Sequence, residues 1–134
     1  MGIIPEELQP AFQGIYPSVI TTCSADGEPN TTLISQVYYV DPDHVALSYQ
    51  FFGKTNRNIE QNPYAAVMMI QPENTFTYHL DLVFIRRETE GEIFEQMDMQ
   101  LMAIASMTGM EAVFKLKGAD IYQVKAITKI DDWA

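Results

Sequence analysis

Asp26-Gly27 stands between a β-branched run, Val19-Ile20-Thr21-Thr22, and a second strand-like stretch from Asn30 to Val40. No other feature constrains the fold so strongly. Asp-Gly between strand residues signals a tight hairpin turn, because its central positions take backbone conformations that Gly, Asn and Asp adopt most readily. The two strands must then run antiparallel. Asp41-Pro42-Asp43 makes a second turn ahead of a strand from His44 to Gln50. Parallel strands need regular helical crossovers of about a dozen residues or more, and the pattern here does not supply them.

The second strand sets Thr31, Leu33, Ser35, Val37 and Tyr39 on one face and Thr32, Ile34, Gln36, Tyr38 and Val40 on the other. Both faces mix polar and apolar groups. That suits a barrel wall between a core and a ligand or partner, and equally an amphipathic strand with no ligand. After Phe51-Phe52-Gly53, Lys54 to Gln61 predicts a short helix that Asn62-Pro63 stops. Tyr64 to Gln71 reads as a buried fourth strand, and Pro72-Glu73-Asn74 turns the chain into a fifth, Thr75 to Thr89, alternating Phe76, Tyr78, Leu80, Leu82 and Phe84 against Thr77, His79, Asp81, Val83 and Ile85.

From Glu90 the period becomes helical, with Ile93, Phe94, Met97, Leu101, Ile104 and Ala105 on one face, and the helix ends near Gly109. Glu111 to Lys115 predicts one further turn, and Ala119 to Ile130 a last strand. At the amino end Pro5-Glu6-Glu7 suits a first helical turn, so Pro5 to Gln13 is expected as a short helix ended by Gly14. No repeat or linker divides the chain. The expectation is a single domain over residues 1–134, mainly β with short helices, forming a split β-barrel of about six antiparallel strands.

Eighteen acidic against eight basic residues give a formal charge of −10, which repels polyanions, so neither nucleic acid nor an anionic membrane surface is an expected partner. Cys23 is the only cysteine, which excludes an intramolecular disulfide and a cysteine-rich metal cluster. The longest apolar run, Tyr64 to Ile70, falls far short of the roughly 18 residues that span a bilayer. With no basic-then-apolar leader pattern, a soluble cytoplasmic protein is expected.

Chemistry concentrates between Ser48 and Pro63, where Lys54 and Thr55 open the short helix. Free backbone N–H groups and the positive dipole end favour an anion there, with Lys54 adding charge and Thr55 a hydroxyl donor. The local chemistry fits equally a capped surface helix with Lys54 in solvent and the two phenylalanines in the core. The spaced glycines of a P-loop and the dinucleotide fingerprint are both missing, which disfavours an ATPase or a Rossmann dehydrogenase.

A strand ending in Ser48, then an aromatic or polar pair, then Gly53-Lys54-Thr55, then a helix closing in Asn62-Pro63, resembles the pyridoxamine 5′-phosphate oxidase-like family of FMN-binding split barrels. The hairpin Asp26-Gly27-Glu28-Pro29, the turn Asp41-Pro42-Asp43-His44 and the block Gly118-Ala119-Asp120-Ile121-Tyr122 follow the family's order, so the resemblance runs over about residues 5 to 128. It implies a homodimer with FMN at its interface. Ser48, Lys54 and Thr55 become the candidates for the FMN phosphate, with Asn58 one turn further along and Arg57 a weaker candidate. Gln50 and Phe52 would lie beside the flavin, and Thr32, Leu33, Ile34 and Ser35 along its ribityl chain and ring edge.

One departure is plain. The true oxidases carry an arginine and a lysine on the second strand, whereas here no lysine or arginine precedes Lys54. The basic and aromatic residues that hold their substrate near the carboxyl end have no match in Ile127 to Ala134. The resemblance therefore implies an FMN-binding flavoprotein, an FMN-dependent oxidoreductase acting on an unknown small molecule rather than on pyridoxamine phosphate. The flavin supplies the redox chemistry in such a site, so no catalytic acid or base is nominated. Alternatives are a non-enzymatic flavin carrier or sensor, or a barrel holding deazaflavin or haem, with His79 as the haem candidate.

His44 and His79 have no second ligand at metal-binding spacing and read as structural, so no metal site is expected. Cys23 reads as a small buried hydrophobe. The methionines at 97, 99, 102, 107 and 110 read as core and dimer packing. Arg86-Arg87, followed by several glutamates, reads as a solvated face, with one arginine able to reach a ligand across a dimer. Trp133, near the terminus, receives no role.

Overall fold

The Asp26-Gly27 turn joins β1 (Ser18–Cys23) to β2 (Pro29–Ile34) in the computed structural model, which describes residues 2–13, 17–34, 36–49, 53–71, 74–109 and 115–130. Gly27 takes φ +83°, and the turn closes through Gly27 N–H to the Ser24 carbonyl at 3.0 Å and Ser24 N–H to the Glu28 carbonyl at 2.9 Å. The other strands are β3 (Val37–Asp41), β4 (His44–Tyr49), β5 (Tyr64–Ile70), β6 (Thr77–Glu88) and β7 (Gly118–Ile130). They form one open sheet in the order β2-β1-β5-β6-β7-β4-β3, every neighbouring pair antiparallel.

The expected strand Asn30 to Val40 is two strands, so the described residues hold seven strands where about six were expected. β2 and β3 lie at opposite edges of the sheet, so this stretch crosses the seam between them. Gln36 is 2% exposed, and its carbonyl accepts the Ser48 N–H at 3.3 Å.

Helix α1 (Lys54–Gln61) has the bounds that its sequence predicts, because Gly53 precedes it and Asn62-Pro63 cannot continue it. α2 (Glu92–Thr108) ends at Gly109, which takes the left-handed conformation that a side chain would disfavour. The amino-terminal segment Glu6–Gln13 is a 3₁₀ helix rather than an α-helix. Pro10 lies within it and has no N–H to give to an i−4 carbonyl. The predicted turn from Glu111 lies outside the described residues except for Lys115, which is not helical.

Two apolar clusters share the sheet. Strict alternation on β5 and β6 sends Val67, Met69, Leu80 and Leu82 into the rolled interior, where they meet Val45, Leu47, Ile59 and Val124. On the outer side of β4 and β7, α2 packs Met97 and Leu101 against Ala46, Ala119 and Ile121. Met99, Met102 and Met107 face solvent instead. Among the described residues no helix is long and apolar enough to cross a membrane.

Candidate functional site

The rolling of the sheet brings β1 and β2 opposite β4 and β7, although β5 and β6 separate them in strand order. Ile20 and residues 30–34 thereby share a cleft of about 570 Å³ with Leu47, Ser48, Tyr49, Asp120 and Tyr122. The first turn of α1 caps one end with Lys54, Thr55 and Asn56. This volume is within the usual range for a cofactor or small-molecule site.

Six of the sequence-predicted site residues meet here: Thr32, Leu33, Ile34, Ser48, Lys54 and Thr55. Asn58 does not line the cleft. Its side chain, 3% exposed, turns to the core and donates from Nδ2 to Thr22 Oγ1 at 3.1 Å, fastening α1 to β1. Ser35, Gln50 and Phe52 lie outside the described residues.

The α1 end is held by the hairpin. Glu28 accepts a hydrogen bond from Lys54 Nζ, and Asn30 Nδ2 donates to Thr55 Oγ1 at 3.1 Å. The bond and charge of Lys54 hold the Glu28 carboxyl below the usual carboxylate range. Both members of this pair stand largely in solvent, where ion pairs contribute little to stability and are open to exchange.

The floor is different. Arg87 donates from Nε to Asp120 Oδ1 at 2.6 Å and from Nη2 to Asp120 Oδ2 at 3.1 Å. Nη2 also bonds Asn56 Oδ1, and the guanidinium lies 3.9 Å from the centre of the Tyr49 ring. One cation thus fixes three lining residues on three elements. Burial raises the Asp120 carboxyl above its ordinary value by more than Arg87 lowers it. The hydrogen bond that it donates to Asp120 is the chief reason that the Arg87 guanidinium is held still more firmly protonated. Tyr122, two residues along β7, is 1% exposed, and burial, with the Asp120 charge second, pushes its phenol upward.

Sequence reasoning missed this network because of a bulge. Phe84 pairs with Tyr122 and Arg86 with Ile121, so Ile85 is an extra residue on β6. Strict alternation would put Arg86 beside Phe84, but the bulge returns Arg87 to that face and sends Arg86 outward to Glu88 at 2.8 Å. The available signal lay on β7, where Asp120 interrupts the apolar sequence Ala119, Ile121, Tyr122. A Cβ on Gly118 would meet Arg87 Cδ at 2.8 Å and Cγ at 2.9 Å, so only glycine leaves room for the arginine stem.

His44 is held by Asp41 at 2.9 Å in the β3–β4 turn. His79, 3.7 Å from Asp81, stands on the outer side of β6 away from the cleft. Cys23 ends β1 half-buried. Among the described residues no group of His, Cys, Asp and Glu could hold a metal ion.

A family profile described as pyridoxamine 5′-phosphate oxidase matches residues 4–125. No curated protein matches the chain. Among solved structures, an FMN-binding protein from Syntrophomonas wolfei subsp. wolfei superposes with a TM-score of 0.77 at 16% identity, covering 96% of this chain and 87% of that one. An F420 reductase gives 0.66 at 13% identity over 93% and 98% of the two chains. HutZ, the haem storage protein from Vibrio cholerae, gives 0.60 at 18% identity over 96% and 95%. At these identities the likeness is one of fold.

Proposed function

Because the chain belongs to the pyridoxamine 5′-phosphate oxidase family, we propose that its cleft binds FMN and that the protein is an FMN-dependent oxidoreductase for a small molecule. The observation that carries this reading is the cleft itself: some 570 Å³, with Lys54 and Thr55 at one end and mixed apolar and hydroxyl walls from β2 and β4. The donor set fits the cofactor. Lys54, Thr55 and the first N–H groups of α1 suit a phosphate, Ile20, Leu33 and Leu47 suit a flat apolar ring, and Thr31, Thr32 and Ser48 suit a polyol. When bound, flavin supplies electron transfer, and the chain supplies position and electrostatics.

The active form is proposed to be a homodimer. Leu33, Val19 and Met68 stand in register across β2, β1 and β5, and Leu33 is 67% exposed while also lining the cleft. A second copy covering this row would bury apolar surface and close the cleft over its ligand. Sedimentation of the unaltered chain as a dimer, and of Leu33→Glu as a monomer, is expected. Monomeric unaltered protein would remove the dimer.

The likeness in fold to an F420 reductase and a haem storage protein makes deazaflavin and haem the rivals. His79, the haem candidate from sequence, is not on the cleft. The test is the visible spectrum of freshly purified protein. Flavin bands that bleach under an electron donor and return in the presence of an acceptor are expected. A haem Soret band unaffected by Lys54→Ala would overturn the proposal.

A further inference from the structure

Gln36 is buried, and among the described residues its Oε1 is the side-chain atom that burial leaves without a hydrogen-bond partner. Its Nε2 donates to Gln100 Oε1 on α2 at 3.0 Å. A buried acceptor with no donor costs its desolvation, so this oxygen points to a donor that the chain itself does not supply. Gln100 in turn lines a second groove, of about 420 Å³, which shares no lining residue with the cleft of Lys54. Tyr38 and Tyr39 line it together. As neighbours on a strand they face opposite sides of the sheet, Tyr38 toward the α2 cluster and Tyr39 toward the interior cluster, where it meets Phe12 edge-on at 6.0 Å. A groove that touches both therefore runs over the outer edge of β3, the last strand in the sheet order. The amino-terminal 3₁₀ segment forms another wall with Glu6, Gln9 and Phe12.

We propose that this groove binds a small organic cation of the guanidinium class, with Glu6 opposite its charge and the tyrosine rings against its plane. Gln36 Oε1 accepts one of its N–H groups once the exposed Gln100 side chain turns aside. Glu6 is the only charged residue lining the groove among the described residues, and aromatic faces attract cations. The formal charge of −10 adds to the attraction. A guanidinium carries several N–H donors and no acceptor, and its flat shape stacks on aromatic rings, which a compact ammonium does not do. An anion would meet Glu6 and leave Gln36 unpaired. The group occurs both on free alkylguanidines and on arginine side chains, and the experiment separates the two sources.

The test is calorimetric titration with butylguanidinium, its neutral isostere butylurea and the end-blocked tripeptide Gly-Arg-Gly. The proteins compared are the unaltered chain, Glu6→Gln, Glu7→Gln and Gln36→Met, each checked by thermal melt. Saturable binding of butylguanidinium is expected, with butylurea weaker by about tenfold for want of the charge. Glu6→Gln is expected to weaken butylguanidinium by about tenfold, and Glu7→Gln, exposed but outside the groove, to leave it unchanged. Gln36→Met is expected to weaken it by about fivefold and yet to raise the melting temperature, since the buried orphan is gone and Gln100 turns to water. A Gln36 kept only for the fold would do the reverse, losing stability on replacement without moving the titration. Tighter binding of the tripeptide than of butylguanidinium would support the site and assign it to an arginine side chain, and the opposite order would assign it to a free guanidine. No saturable heat with either guanidinium would overturn the proposal, as would equal losses in Glu6→Gln and Glu7→Gln, which would reduce the attraction to net charge.

Discussion

The rim and the floor of the cleft are both built on ion pairs, yet they differ in what holds them. At the rim, Lys54 and Glu28 meet in solvent with side chains 43% and 65% exposed. At the floor, Arg87 and Asp120 meet at 26% and 10%, with an aromatic ring and an amide bracing the guanidinium. Water competes for the first pair and hardly for the second. On the proposed function, a ligand phosphate would replace Glu28 at Lys54 at little cost, whereas a group replacing Asp120 at Arg87 would leave a charge buried. The rim pair is open to exchange with water or another anion, and the floor pair is largely shielded.

Removing one floor partner breaks this contrast most severely. Arg87→Met leaves Asp120 buried and unpaired, and is expected to lower stability by about 3 kcal/mol in urea unfolding. At the rim, Lys54→Ala with Thr55→Ala should leave stability within about 0.5 kcal/mol while weakening FMN by about 2 to 3 kcal/mol, through loss of two charge-assisted bonds. Equal effects of the two changes on unfolding would erase the distinction between rim and floor.

Gly118→Ala sharpens it without touching charge. The added methyl displaces the Arg87 stem, and a loss of about 1 to 2 kcal/mol is expected, the usual cost of overpacking. The same substitution in an Arg87→Met background should cost less, because methionine yields where the braced arginine does not. Additive losses would mean that the contact with Arg87 is not the cause.

The smallest effect belongs to Glu28→Gln, which frees Lys54 and is expected to tighten FMN binding severalfold in the same titration. The pH dependence has a definite sign. The Glu28 carboxyl is held below its usual 4.5 by Lys54, so the pair is present above that value and is lost as pH falls through the lowered one. The advantage of Glu28→Gln over the unaltered chain should shrink in the same interval, since a protonated Glu28 no longer competes with phosphate. An advantage that persists in acid would point to another cause.

Local chemistry made much of the rim legible in the sequence. Asp26-Gly27 marks the hairpin, Gly53 and Asn62-Pro63 bracket α1, and Lys54-Thr55 stand at its first turn, where they line the cleft. What could not be read depends on partners far along the chain. Nothing in the alternation from Asn30 to Val40 announces that its halves pair with opposite edges of the sheet. Nothing near Ile85 marks it as the extra residue that turns Arg87 inward. Asn58 lies one helical turn after Lys54, which suggested a common ligand, but α1 packs that face on β1 and commits the amide to Thr22. The floor is a product of register, which appears only when strands are paired.

The most direct measurement is an equilibrium titration of cofactor-stripped protein with FMN, following flavin fluorescence. Saturable quenching at one FMN per chain is the result expected from the cleft and its cationic rim. Fluorescence that stays that of free flavin at every protein concentration would contradict flavin binding, and with it the proposed function.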